Sequence, residues 1–230
     1  MTLSEMQLKV IATIKTGFSE KFGIPRQSGM VQDTVAQIVF EPEYRNPDAV
    51  RGLDGFSHIW LIWQFSKSVR DGWSPTVRPP RLGGNTRMGV FATRSPFRPN
   101  ELGLSSVKLL KVELTKDKGP VLYVSGADLL DGTPIFDIKP YLAFTDSHQG
   151  ATGGFAEDYL DYRLEVVFPE ELKAEIEAEK CRSLQQILAA DPRPSYQNDP
   201  DRVYGLKYFE YEVKFTVCGK TLTVKEVQKI

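Results

Sequence analysis

The stretch from Arg78 to Ser105, RPPRLGGNTRMGVFATRSPFRPNELGLS, holds five arginines, four prolines and four glycines with a single acidic residue, Glu101. From Lys67 to Arg98 there are seven basic residues (Lys67, Arg70, Arg78, Arg81, Arg87, Arg94 and Arg98) and one acid, Asp71, a local balance of +6 in a chain whose net charge is −1. Arginine's planar fork suits phosphates, carboxylates and the faces of bases. Pro96 and Pro99 stiffen the backbone around Phe97 and Arg98, and rigid charged groups favour preorganised recognition. Charge alone also fits a solvated loop whose arginines lie along apolar neighbours.

Two further stretches carry polar groups in tight turns. In GIPRQSG, residues 23–29, Pro25 fixes the turn while Arg26 and Gln27 offer several donors. In GADLLDGTPIFDIKPYLAFTD, residues 126–146, Asp128, Asp131 and Asp137 suit ribose hydroxyls or an amino group. They equally suit turns and caps, and the Asp131–Gly132 pair favours the turn reading. His58 precedes an apolar strand and reads as a core residue, whereas His148 lies in a linker. Two separated histidines and no serine elbow argue against a hydrolase triad or a histidine metal site. Cys181 and Cys218 form no CxxC pattern and read as reduced thiols, so neither zinc nor a disulfide framework is expected.

These groups must be positioned by the surrounding elements. Period-2 alternation marks a strand through LKVIATIKTGF and another at 35–40. NPDAVRGLDG reads as a short helix, with Asn46 as N-cap and Pro47 at its first position. HIWLIWQF, residues 58–65, is apolar on both parities and suggests a buried central strand. Strands are also predicted at 88–94, 105–114 and 121–129, the last two joined by the turn TKDKGP. After a flexible GATGG, residues 150–154, one long helix is expected over 169–191 and two strands around Gly219 close the chain. The reading is mainly β: an antiparallel β-barrel-like N-terminal domain over 1–146 and a small α+β domain over 156–230. A doubly wound nucleotide fold is excluded, because strands and helices do not alternate and GGNTRMG departs from GxGxxG.

With 230 residues, 41% hydrophobic and 26% charged, the composition is that of an ordinary globular chain. MTLSEMQLKV lacks the basic and apolar regions of a signal peptide, and IWLIW is too short to span a bilayer. A cytoplasmic protein is the expectation.

Taken in order, GFSHIWLIWQF, the Arg78–Ser105 stretch, GADLLDGTPIFDIKPYL and DPRPSY resemble the TsaA/TrmO-like family of S-adenosylmethionine-dependent tRNA methyltransferases. The resemblance spans nearly the whole chain. It implies a β-barrel enzyme, acting as a homodimer, that methylates the exocyclic nitrogen of threonylcarbamoyl-adenosine beside the anticodon. It places cofactor contacts on Pro25, Arg26 and Gln27, on Ser66 and Lys67, on Arg94, on Leu104, and on Ala127, Asp128, Leu129 and Leu130. Many relatives carry a histidine where this chain has Ser66, which leaves a backbone contact at that position. Arg26 or Arg94 would pair the cofactor's carboxylate and Leu104 would lie against its adenine. Arg78, Arg81, Arg193 and Tyr196 are the candidates for contact with the anticodon loop of tRNA, whose splayed bases suit stacking and edge contacts. Asp137 and Tyr141 are conceivable acceptors of the proton released on methylation. The residues alone leave open a cofactor-binding sensor, a methyltransferase with another acceptor, or an RNA-binding scaffold.

Overall fold

A computed structural model describes residues 6–68, 72–194 and 196–230, without the side chain of Arg81. Arg70 and Asp71 of the basic stretch lie outside the described residues. The strands are β1 (Ala12–Lys15), β2 (Val35–Phe40), β3 (His58–Gln64), β4 (Thr76–Val77), β5 (Met88–Gly89), β6 (Leu102–Thr115), β7 (Gly119–Ser125), β8 (Pro134–Pro140), β9 (Glu165–Val167), β10 (Tyr204–Tyr208), β11 (Tyr211–Cys218) and β12 (Thr221–Lys229). The α-helices are α1 (Ala143–Asp146), α2 (Glu170–Lys173) and α3 (Ala178–Ala189).

Six strands close into a barrel in the order β1-β2-β7-β6-β3-β8, with antiparallel pairing throughout. Alternation along each strand sends one parity inward. Ile14, Ile38, Ile59, Leu61, Leu122 and Ile135 are fully buried, so the interior is a filled core and not a channel. On β3 the inward set is Ile59, Leu61 and Trp63. Its outward residues are half-covered, which accounts for the apolar character of both parities. Trp60 lies against Tyr141, with its Nε1 donating to the Asp146 carboxylate at 2.8 Å. Strand β6 is long enough to serve two neighbours: its first half pairs with β3 and its second with β7. A bulge between Leu109 and Lys111 bends it from one to the other.

The second hydrophobic core is built on the sheet β10-β11-β12-β9, in which β9 runs parallel to β12 and the other pairs are antiparallel. Leu184, Ile187 and Leu188 of α3 pack on it. So do Phe18 and Val31, which belong to the connection from β1 to β2. Gly17 and Gly23 in that connection lie so close to this sheet that an added Cβ would meet the Phe209 ring or the Leu206 side chain at 2.6 Å. The connection is thus cemented to the second core.

Four sequence expectations change. The first strand starts at Ala12; Leu8 and Val10 alternate correctly but remain exposed. The strand expected at 88–94 reduces to β5, because Val90 turns into a 3-10 helix, its N–H donating to Pro75 O at 3.0 Å. The long helix splits into α2 and α3: Ile176 is drawn into the core and Glu177 takes an extended conformation. Finally, β8 went unread, since Pro134, Asp137, Lys139 and Pro140 disguise it as loop. Both prolines sit at its ends, where a missing N–H is tolerated. Among the described residues, no helix is long and apolar enough to cross a membrane.

Candidate functional site

One end of the barrel opens into a cavity of about 810 Å³. It forms where β3 ends and β6 begins, between the connections that follow β1 and β7. Trp63, shared between core and cavity wall, lies across Gly103 on the neighbouring strand, where any Cβ would meet the indole at 2.3 Å. That glycine lets the ring lie flat. The indole Nε1 then donates to Ser105 Oγ at 3.0 Å, and the Ser105 hydroxyl donates to Asp128 Oδ1 at 2.6 Å.

Asp128 is carried to this point by a close approach of two backbones. Gly29 N donates to Gly126 O at 2.8 Å, and a Cβ on Gly126 would stand 3.2 Å from the Gly29 backbone. Both glycines have positive φ, which other residues adopt only with strain. Burial pushes the Asp128 carboxyl above its ordinary range. The Ser105 hydroxyl, the backbone N–H groups of Asp128 and Ser28, and the Arg94 charge partly oppose that rise. Arg94 also lines the cavity, with Nη1 donating to Gln27 Oε1 at 2.5 Å, and its charge is near enough to act on Asp128. Arg98 braces the segment that carries it by donating to the carbonyl of Thr93 at 3.1 Å. Below, Lys21 Nζ holds the turn after β3 through Lys67 O at 2.6 Å and Ser68 Oγ at 3.0 Å. The cavity therefore sets a positioned cation and a buried carboxyl on a wall supplied by Trp63, Phe65, Leu104 and Leu130. Its volume and mixed lining fit a cofactor-sized molecule bearing both charges and an aromatic base.

Arg26 lines the cavity, but its Nη2 donates to the second domain, to Asp191 O at 3.2 Å and Arg193 O at 2.7 Å. Burial lowers its pKa, opposed by the nearby Asp191 and Tyr162. Asp191 follows α3 with φ of 54°, a left-handed position usually given to glycine. Its carboxylate grips the Arg193 guanidinium at 2.9 and 3.0 Å and accepts from the Tyr162 hydroxyl at 3.1 Å.

Two family models cover almost the whole chain in sequence: "tRNA-methyltransferase O N-terminal domain" over residues 13–147 and "TrmO C-terminal domain" over 161–230. The chain belongs to the TrmO family. It is 40% identical over 223 residues to the tRNA (adenine(37)-N6)-methyltransferase of Escherichia coli K12, covering 94% of each chain. It is 38% identical over 211 residues to a putative S-adenosylmethionine-dependent methyltransferase, RcsF, of Pseudomonas aeruginosa, covering 88% of this chain and 89% of that one. The crystal structure of a TrmO from P. aeruginosa superimposes with a TM-score of 0.80 at 30% identity, over 99% of both chains.

On this TrmO fold, Pro25, Arg26, Gln27, Ser66 and Lys67 line the cavity, as do Arg94, Leu104, Asp128 and Leu130. Ala127 and Leu129 alternate with them and point into the barrel core, so only their backbones face the other way. Arg78 and Tyr196 are exposed, and Tyr196 approaches the basic segment: a Cβ on Gly84 would come within 3.8 Å of its ring. The Arg81 side chain lies outside the description. Arg193 corrects the expectation of direct RNA contact. It is 5% exposed and held by Asp191, so its side chain shapes the DPRPSY loop from beneath. Asp131 is a turn residue that accepts from Thr16 N at 3.0 Å. Asp137 pairs with Lys139, and His58 lies against Tyr141; none of these side chains lines the cavity. The sequence reading missed Trp63 and Ser105. The usable signal was a glycine inside a strand, Gly103, which marks a close approach by a large neighbour.

Proposed function

We propose that the cavity binds S-adenosylmethionine and that this TrmO-family chain methylates the exocyclic N6 of threonylcarbamoyl-adenosine next to the tRNA anticodon. The observation that carries the reading is that Arg94 and Asp128 line one cavity together with Trp63, Phe65, Leu104 and Leu130, in a chain covered by both family models. When bound, the cofactor supplies a methyl group on a sulfonium. Arg94, held by Gln27, suits its carboxylate. Asp128 suits hydroxyl or amino donors, and Leu104, Leu130 and Trp63 suit the flat faces of its adenine. Pro25 and Gln27 border the site from the loop tied down by Arg26, and Ser66 and Lys67 offer backbone groups from the turn pinned by Lys21. Methyl transfer needs alignment above all, and these braces hold the walls in place before binding.

The assembly is read as a homodimer. Leu102, Leu104 and Leu110 are exposed along β6, and the first two also line the cavity. A second copy covering this row would cap the cavity at the same time, and the molar mass in solution tests it. Tyr196 and Arg78 are proposed RNA contacts, and the cytoplasm is the proposed site of action.

Labelled S-adenosylmethionine is incubated with tRNA from cells lacking the enzyme. Label is expected on N6 of the modified adenosine, and none in tRNA without threonylcarbamoyl. Undiminished transfer to the unmodified tRNA refutes the acceptor. A titration with cofactor that gives neither heat nor stabilisation refutes the cavity's role.

A further inference from the structure

Two large aromatic side chains stand in solvent at the mouth of the cavity. Trp73 is 52% exposed and Phe91 72%, yet their rings are stacked on each other, with centroids 6.2 Å apart and planes 27° from parallel. The placement follows from the ribbon beneath them. β4 and β5 pair Thr76 with Gly89 and Val77 with Met88, and Val90 N closes the ladder on Pro75 O. Trp73 and Phe91 therefore leave the same end of the ribbon. Val90 is 1% exposed and anchors it, while the next side chain, Phe91, faces out and lines the cavity rim.

The surroundings are strongly basic between Asp71 and Glu101. Residues 72–100 contain five arginines and no acidic residue. Arg78 and Arg87 are exposed on the ribbon, and Arg94 stands at the cavity. Flat apolar faces among cations match unpaired nucleobases joined by phosphates. A second copy of the chain is a poorer match, since a two-fold contact through this patch would face arginines with arginines.

We infer that the Trp73–Phe91 pair is a stacking platform for an unpaired RNA base flanking the acceptor, with Arg78 and Arg87 on the adjoining phosphates. This rests on the tRNA reading above and names how the RNA is gripped. The platform holds the strand while the acceptor base enters the cavity.

The test measures binding of a labelled single-stranded RNA heptamer and of intact tRNA to the full chain, together with cofactor affinity and molar mass. Trp73→Ala and Phe91→Ala are each expected to weaken both RNAs by about 5- to 150-fold, the range for one base–aromatic stack. In Trp73→Ala, whose side chain does not line the cavity, cofactor affinity and molar mass stay unchanged, and Trp73→Phe restores most of the loss. Unchanged RNA affinity overturns the inference. So does a fall in molar mass, which would make the pair a subunit contact, or an equal loss in Phe144→Ala, an exposed aromatic off the ribbon. If wild type binds RNA through the pair but transfers no methyl group to tRNA, the platform stands and the enzymatic reading fails.

Discussion

Arg26 separates two accounts of the loop at 23–29. If its guanidinium holds the second domain, Arg26→Met keeps the apolar stem and removes two charged hydrogen bonds, at 3.2 and 2.7 Å. Bonds with an ionised partner contribute about 1.5–3 kcal/mol each. The longer of the two lies at the weak end, and burial of the charge, which lowers the arginine pKa, offsets part of the gain. A net loss of about 2 kcal/mol follows, and for a chain of this size that lowers the melting temperature by about 4–8 °C. Cofactor affinity, measured by calorimetric titration, falls less than about tenfold (~1.4 kcal/mol), because the charge itself does not reach the ligand. The opposite pattern refutes the reasoning: an unchanged melting temperature with cofactor binding weakened well beyond tenfold would put the guanidinium on the cofactor's carboxylate. Arg26→Lys keeps the charge without the fork and is expected to fall between wild type and Arg26→Met in stability.

Arg94→Ala is expected to weaken cofactor binding by about 1.5–3 kcal/mol, and an unchanged dissociation constant removes Arg94 from the site. Gly103→Ala drives a methyl into the Trp63 ring, so a loss of about 1–3 kcal/mol and an altered near-ultraviolet circular dichroism are expected. A native spectrum with full stability would contradict the flat placement of the indole. Asp128 has a folded pKa above its unfolded one, so its ionised form opposes folding at neutral pH and that penalty fades on acidification. Asp128→Asn without cofactor should therefore gain on wild type at pH 7, with the gain shrinking as pH falls through the folded pKa towards 3.8. Melting curves whose difference is flat with pH would exclude this burial penalty.

Local chemistry explains which parts were legible beforehand. β2 shows in the alternation of its side chains and β3 in its unbroken apolar run, and TKDKGP and Gly219 mark the β6–β7 and β11–β12 hairpins, because these signals reside within a few residues. β8 was hidden because its pairing with β1 and β3 lies more than 70 positions away in sequence and overrides poor strand chemistry. The cavity lining could be listed from resemblance, yet the direction of each side chain could not. Past the end of β7, Ala127 and Leu129 turn into the core while Asp128 and Leu130 face the cavity. Arg193 looked like a free cation in a polar loop; its partner Asp191 is only two residues away, but the left-handed backbone that joins them is not written in either residue type.

The segment between β1 and β2 stands early in the chain and is seated by residues near its far end. Phe18 and Val31 need the sheet of β10, β11 and β12 to cover them, and Gly17 and Gly23 fit only against its side chains. During translation the barrel strands emerge well before that seat exists. The loop bearing Pro25 and Gln27 thus takes its seat from residues near the far end of the chain, so the shape of one pocket wall depends on the packing of the second core.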